Sequence, residues 1–340
     1  MKILFLGGSG VISRAATQLT VAGRHELWLL NRGKRRPIEG TRSLVADLAD
    51  VDGVRAALRG HTWDVVVQWI GYGPADVKRD IELLRGATRQ YVFISSASVY
   101  QKPLGHYLVT ESTPRANPHW DYSRQKIAAE HELEATHETT AFPCVIVRPS
   151  LTYGEDQVPL VLNAWGQSWT LIDRMRRGAP VIIPGDGSSL WTITHNTDFA
   201  QGLVGLFGNA ATHGHVFHIT SDEVLTWNQI FLQAAEAAGV ASPRFVHIPS
   251  DFIISCVPAV EGTLLGDKAV SAVFDNTKIK RFVPGFQART RFADGSRRTI
   301  AWFDADPARK QIDAGLNERW DKLVNAYEAA LGQARAAFKT

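Results

Sequence analysis

The first 150 residues predict a doubly wound α/β fold, a parallel sheet covered by helices on both faces. Three observations carry this. Strand-like and helix-like segments alternate from the start of the chain. The strand-like segments are continuous apolar runs, as strands buried on both faces require. A glycine-rich turn joins the first strand to the first helix, where such folds bind phosphates.

The elements follow in order. "KILFLG" reads as a buried strand, and residues 11–22 as the helix after it. "ELWLLN" and "SLVADL" are the second and third strands. A helix over about 51–59 leads to "WDVVVQW", and one over about 75–86 leads to "QYVFISS". "YSRQKIAAEHELEAT", residues 122–136, is a long helix, and "PCVIVRP" closes the series as a strand. Beyond residue 150 the pattern changes. Helices are expected near 159–177, 196–207, 226–237 and 314–336, with short strands such as "APVIIP" and "GHVFHIT" between them. The expected layout is a first domain over 1–155, joined by parts of 190–225 and 270–282. A smaller C-terminal substrate-binding domain takes up most of 156–340.

Composition bounds the function. The chain has 340 residues, 45% hydrophobic and 21% charged, with a net charge of +3. That is ample for one large core or two smaller ones. The densest basic run is "RGKRRP", Arg32 to Pro37, too short for the basic stripe of a nucleic-acid binder. Two cysteines, Cys144 and Cys256, sit in apolar surroundings and read as buried reduced thiols. No secretory signal is visible and no apolar run has the length of a membrane span. The expectation is a soluble cytoplasmic protein with no nucleic-acid or membrane partner. The histidines lack metal-site spacing, so no metal is expected.

"GGSGVIS" follows the first strand. A turn at this place points helix N–H groups and the helix dipole at a dinucleotide pyrophosphate. Gly7 supplies the tight turn, Gly10 a close backbone approach, and Val11 and Ile12 the helix amides. Ser13 stands where a third glycine packs helix against strand. The second strand ends in Asn31, then Arg32, Gly33, Lys34 and Arg35. A ribose-binding carboxylate is missing there and cations are present, which suits the 2′-phosphate of NADP over NAD. A solvated basic loop is the competing reading for residues 34–36. Asp47, beside Leu48, ends the third strand, where a carboxylate can accept from the adenine amino group.

"FISSASVY" places Ser95, Ser96 and Ser98 at the carboxyl edge of the fifth strand. "DYSRQK" sets Tyr122 and Lys126 four residues apart, on one helix face. An ammonium beside a phenol lowers the phenol pKa. Such a tyrosine exchanges a proton with a substrate hydroxyl that a serine holds. The set fits carbonyl–alcohol redox chemistry.

With these motifs the chain resembles the extended short-chain dehydrogenase/reductases, in the NAD-dependent epimerase/dehydratase family. "GGSGVIS" resembles its Gly-x-x-Gly-x-x-Gly turn, and "SSASVY" its Ser-Ser-x-x-Val-Tyr segment. "YSRQKIAAE" resembles Tyr-x-x-x-Lys with a trailing glutamate, Glu130. "VIVRPSLTYG" resembles the segment bordering the nicotinamide, with Arg148, Pro149 and Tyr153. "PGDGSSLWTITHNTDFA" resembles the Gly-Asp-Gly…His-x-x-Asp segment, matching His195 and Asp198. The resemblance implies a Rossmann domain and hydride transfer with NADP or NAD. It makes Tyr122 the general acid or base, Lys126 its activator, also holding the nicotinamide ribose, and Ser96 the group that orients the hydroxyl. It also implies a homodimer through the helix carrying Tyr122.

Departures narrow the reaction. Gln101 follows Tyr100 where the family usually has glycine. The Asp-Glu pair that the family's 4,6-dehydratases place after the catalytic hydroxyl is Ala97-Ser98 here, which disfavours sugar 4,6-dehydration. Leu190 and Trp191 stand where nucleotide-sugar enzymes carry a diphosphate-clamping arginine. Arg174, Arg176 and Arg177 offer charge nearby, or a solvated helix face. Ser98, Tyr153 and Trp191 are the expected substrate contacts, and Trp69, Trp165 and Trp169 are further candidates for stacking. Asp267 and Lys268 in "LLGDKA" form a substrate loop or a polar turn. His195 reads as a structural hydrogen-bond partner. The resulting expectation is an NAD(P)-dependent oxidoreductase or epimerase acting on a sugar-like small molecule. A simple alcohol or ketone dehydrogenase, and a non-catalytic dinucleotide-sensing or RNA-binding relative, are the alternatives.

Overall fold

The computed structural model describes residues 1–34 and 36–338; Arg35 of the basic loop lies outside them. The first half comprises β1 (Lys2–Leu6), α1 (Val11–Ala22), β2 (Glu26–Asn31), β3 (Arg42–Val45), α2 (Val51–Leu58) and β4 (Val65–Gln68). It continues with α3 (Pro74–Leu84), β5 (Tyr91–Ile94), β6 (Leu108–Val109), α4 (Asp121–Thr140), β7 (Cys144–Arg148) and β8 (Leu151–Tyr153). The second half begins with α5 (Thr170–Arg176), β9 (Val181–Pro184), β10 (Leu190–Trp191), β11 (Ile193–His195), α6 (Asn196–Gly205) and β12 (Val216–His218). It goes on through β13 (Leu225–Thr226), α7 (Trp227–Ala237), β14 (Phe245–Ile248), α8 (Ser250–Cys256) and α9 (Glu261–Thr263). A π-helical turn (Leu264–Lys268), β15 (Val273–Phe274), α10 (Thr277–Phe282), α11 (Phe292–Asp304) and α12 (Ala314–Ala337) complete it.

Among the described residues, seven parallel strands form the central sheet in the order β12-β7-β5-β4-β1-β2-β3. The chain order reverses between β1 and β4, so loops leave the carboxyl ends of these strands in opposite directions and open a crevice. The alternation of strand side chains builds a core on each face. Ile3 and Phe5 pack with Ala16, Leu29 and Val67 under α1 and α6. Leu4 and Leu6 pack with Val77, Ile81, Phe93 and Leu133 under α3 and α4. A third cluster, around Trp191, Trp227, Phe231, Ile182, Phe303 and Trp320, fills the second half. Each such side chain, fully buried, contributes about 1.5–3 kcal/mol.

Segments from the second half return to the sheet. The strand β12 pairs with β7, α6 packs on α1, and Ile279 of α10 enters the core beneath β1 and β4. By contrast β15 pairs with β6, away from the main sheet.

Local readings need correction. The expected helix over 159–177 is helical only from Thr170. Pro159 and Gly166 disfavour helix there. Asn163 holds the segment as a loop, donating to the Val158 and Ser168 carbonyls at 3.2 and 2.7 Å. Cys144 is buried, and burial pushes its thiol up to about 12, but Cys256 is exposed at the end of α8. No helix among the described residues is long and apolar enough to cross a membrane.

Candidate active site

One large cleft of about 1020 Å³ runs along the carboxyl edge of the sheet. Ordinary small-molecule sites span about 300–1,000 Å³. At one end lie Gly7, Gly10, Val11 and Ile12, with Gly8 and Ser9 between them. The turn is left-handed at Gly7 and Gly8, with φ of +100° and +96°. A Cβ on Gly8 would approach Leu29 Cδ2 to 2.9 Å, so this middle glycine, passed over in the sequence pattern, is the one most constrained by packing. A Cβ on Gly10 would meet only Ser13 Oγ, at 3.6 Å, so its surroundings within the protein are open. The Gly10 N–H donates to Ser13 Oγ at 2.8 Å, and Thr17 Oγ1 donates to the Gly8 carbonyl at 2.7 Å. Ser13 thus pins the turn by a hydrogen bond where a glycine would only allow close packing. The first amides of α1 have no intrahelical acceptor, and they belong to residues lining the cleft.

Asn31, Arg32, Lys34, Asp47 and Leu48 line the far wall. Asn31 Oδ1 accepts from the Gly33 N–H at 2.9 Å, shaping the loop that carries the exposed Arg32 and Lys34. Asp47 Oδ1 accepts from the Ala49 N–H at 3.1 Å. This end fits a dinucleotide: open glycine, free helix amides, and cations beyond the second strand.

The middle of the cleft holds Ser96, Tyr122, Lys126 and Pro149. Ser96 ends the loop after β5, while Tyr122 and Lys126 come from the first turns of α4. Ser96, Ser98 and Ser123 form a hydroxyl chain, with Oγ–Oγ distances of 2.9 and 2.8 Å. Ser98 lines the cleft, but its hydroxyl is engaged in this chain and its carbonyl accepts from Asn117 Nδ2 at 2.8 Å. Tyr122 packs edge-on against Tyr72 and tilted against Trp120.

The electrostatics of the Tyr122–Lys126 pair differ from the sequence expectation. Lys126 Nζ donates to the backbone carbonyls of Gly71 and Ile94, at 2.7 and 2.8 Å. Burial pulls its pKa down to about 7, against Glu130 and Asp76. Burial pushes the Tyr122 phenol up to about 12, with only the Ser96 hydroxyl acting the other way. In this structure Lys126 does not lower the tyrosine pKa, because its ammonium is spent on carbonyls and is itself desolvated.

Beneath these residues lies a buried ion network. Glu130 Oε1 accepts from Ser95 Oγ at 2.5 Å and Arg148 Nε at 2.9 Å. Its Oε2 accepts from Arg148 Nη2 at 2.5 Å and Arg115 Nη1 at 2.9 Å. Arg148 also donates to Tyr100 Oη, which contacts His218 Nε2. Arg148 therefore does not border the cleft; it ties β7 to α4 below it.

Trp69, Trp165 and Trp191 line the cleft, as do Thr152, Gln157, Asp267 and Lys268. Tyr153 does not. It points into the third cluster, edge-on to His195 and Phe292, and burial raises its pKa. Its neighbours in β8, Leu151 and Thr152, line the cleft. Trp169 is likewise core, against Phe303. Arg174 is buried, bonded to the Pro180 carbonyl, Asn317 and Asp321, while Arg176 and Arg177 pair with Asp304 and Asp173. None of the three reaches the cleft. His195 caps α6, accepting from the Thr197 N–H. Tyr72, Trp120 and Gln157 also line the cleft, and no motif marked them. Only the fold brings these loop positions together. Among the described residues no cluster of His, Cys, Asp and Glu has the form of a metal site.

Comparison with known proteins bears on the fold and the family. The chain is 24% identical to a 2′-dehydrokanamycin reductase from Streptomyces kanamyceticus, over 85% of this chain and 81% of that one. It is 26% identical to a dTDP-glucose 4,6-dehydratase from Streptomyces niveus, over 89% and 93%. It is 27% identical to a chloroplast stem-loop binding protein of 41 kDa from Arabidopsis thaliana, over 74% and 67%. The fold matches a UDP-glucuronic acid 4-epimerase from Bacillus cereus, solved with UDP-glucuronic acid and NAD, at TM-score 0.71 and 19% identity over 90% and 99% of the chains. The NAD dependent epimerase/dehydratase family profile matches residues 3–220, well over half the chain. With its seven-stranded Rossmann sheet and glycine turn, the chain belongs to the NAD dependent epimerase/dehydratase family of enzymes.

Proposed function

We propose that this enzyme oxidises, reduces or epimerises a sugar or sugar derivative by hydride transfer, with NADP as the preferred dinucleotide. The observation that carries the reading is the convergence of Ser96, Tyr122 and Lys126 on the cleft that also holds the glycine turn. Arg32 and Lys34 at the far wall, with no carboxylate ending β2, support the 2′-phosphate preference. The bound dinucleotide supplies the two-electron acceptor or donor for the hydride.

The chain's own residues manage the proton. Ser96 Oγ is placed to hold the reacting oxygen. Tyr122 Oη takes the hydroxyl proton when an alcohol becomes a carbonyl, and returns it when a carbonyl is reduced. Lys126, fixed by two carbonyls, sets the floor of the cleft beside the phenol. Sugar 4,6-dehydration is disfavoured. Ala97 is buried without a side-chain acid, Ser98 is engaged with Ser96 and Ser123, and the Asp267 carboxylate is paired with Lys268 at 2.5 Å.

Calorimetric titration with NADP and NAD tests the cofactor assignment, and binding of neither overturns it. Tyr122→Phe should abolish turnover while dinucleotide affinity stays unchanged. A screen of sugars at the reduced-nicotinamide absorbance separates an epimerase, which recycles its cofactor, from a dehydrogenase, which consumes it stoichiometrically. A homodimer through α4 belongs to the same reading, and sedimentation tests it.

A further inference from the structure

We propose that the substrate carries an anionic group, a carboxylate or a phosphate monoester, bound beside Tyr122 by Lys102, Lys268 and the indole N–H of Trp191. This rests on the hydride-transfer reading above and adds the chemical class of the substrate.

Three separate stretches of chain supply the subsite. Lys102 follows the serine loop, Trp191 ends β10, and Lys268 ends the π-helical turn. The Lys102 and Lys268 ammonium groups lie 6.0 and 5.8 Å from the centre of the Trp191 ring. Lys102 is 5% exposed, Lys268 6% and Trp191 1%. Trp191 and Lys268 line the cleft that holds Ser96 and Tyr122, and the Lys102 ammonium reaches the Trp191 ring and the Asp267 carbonyl.

The bonding capacity of the three groups is not met within the protein. Lys102 Nζ has three donors, and its hydrogen bond is to the Asp267 carbonyl, at a long 3.3 Å. The buried Trp191 Nε1–H meets no acceptor among the described residues. Lys268 Nζ donates to the Asp267 carboxylate. Two ammonium groups against one carboxylate leave one positive charge in a desolvated site, a costly arrangement without a counter-ion. Burial, reinforced by Lys268, already lowers the Lys102 pKa, against the pull of Asp267. An oxyanion supplies both the missing charge and the missing acceptors, and charge-assisted bonds of this kind are the strong ones.

The subsite is fixed relative to the chemistry. Asn117 Nδ2 donates to the Gly266 carbonyl at 2.7 Å and to the Ser98 carbonyl at 2.8 Å. The turn carrying Asp267 and Lys268 is thereby tied to the serine whose hydroxyl bonds Ser96.

The test is calorimetric titration of D-glucuronate, glucose 6-phosphate and D-glucose into the full chain, with and without NADP. At least one acidic sugar should bind about tenfold or more tightly than glucose, a difference of ~1.4 kcal/mol. Whichever binds more tightly identifies a carboxylate or a phosphate as the group. Lys268→Gln should remove the preference, and Lys268→Arg should restore most of it, with NADP affinity unchanged in both. Glucose binding as tightly as the acidic sugars, neither acidic sugar binding, or a preference that survives K268Q overturns the proposal. An acid preference in a protein that binds no dinucleotide supports the subsite and overturns the hydride-transfer reading.

Discussion

The Glu130 carboxylate joins the three elements whose ends form the active site, so its removal has a calculable effect. It lies on α4, four residues beyond Lys126, and is fully buried with Arg148 of β7. It accepts from Ser95 after β5, from Arg148 through two nitrogens, and from Arg115. Removing one partner of a buried ion pair costs about 3–5 kcal/mol, because the other charge is left desolvated and unpaired. A folded domain is stable by only about 5–15 kcal/mol. Glu130→Met and Arg148→Met should therefore each be severely destabilised. The double variant leaves Arg115 with Glu134, at 2.9 and 2.8 Å, and no orphaned charge in the core. It should lose about 2 kcal/mol less than the sum of the single losses. Urea unfolding followed by circular dichroism measures all three. The sign with pH is also set. Burial works to raise the Glu130 pKa, but Arg148, with the Ser95 and Arg115 bonds, holds it below the usual carboxylate value. Its contribution is complete above the unfolded pKa of about 4.3 and is lost as pH falls through the lower folded value. Single variants that lose under ~1 kcal/mol, or a double variant that loses the full sum, would refute the reasoning.

Three further predictions follow from the cleft. Lys126 has a folded pKa of about 7, below the unfolded value of about 10.4, so the folded state binds fewer protons between them and stability rises with pH across that window. Lys126→Met lacks this rise, so its stability relative to the wild type should fall as pH climbs from about 7 to about 10; parallel profiles in urea unfolding count against the buried ammonium. Gly8→Ala forces a positive φ on alanine and a contact with Leu29 and Phe5, at a cost of about 1–3 kcal/mol, whereas Gly10→Ala should melt like the wild type and bind dinucleotide more weakly. Arg32→Glu should weaken NADP by about tenfold or more while NAD changes less, as expected if a charge-assisted phosphate bond is lost; an equal loss for both in fluorescence titration contradicts the 2′-phosphate assignment.

The sheet and the glycine turn were legible because they depend on local pattern. Continuous apolar runs require burial on both faces, and the alternation of Ile3 and Phe5 with Leu4 and Leu6 then supplies both cores. The loops were not legible in the same way. Residues 159–169 carry enough apolar side chains to look helical, yet Asn163 satisfies their carbonyls as a loop. The spacing from Arg148-Pro149 points to Tyr153 at the cleft, but its ring packs on His195 and Phe292 instead. The Glu130–Arg148 pair, and the approach of Lys102 to Asp267 across 165 positions, depend on crossovers that no spacing within one segment encodes.

The Tyr122–Lys126 pair shows where spacing ends and environment begins. Four residues on a helix do bring the two side chains to one face, with Lys126 Nζ 5.8 Å from the Tyr122 ring centre. The pKa argument fails because it treats the lysine as a free charge. Near-complete burial makes this lysine easier to deprotonate, against its bonds to two carbonyls, and burial likewise makes the tyrosine harder to deprotonate. Burial pushes the phenol pKa up to about 12, so it is protonated near neutral pH, which suits delivery of a proton to a carbonyl oxygen as hydride arrives. The oxidative direction requires the phenolate, and so requires positive charge brought close to Tyr122 by what binds. The pH dependence of the two directions should therefore differ. Reduction should stay flat toward alkaline pH, and oxidation should rise with it. Identical profiles in both directions would show that binding resets the pair completely and that the burial seen here has no kinetic consequence.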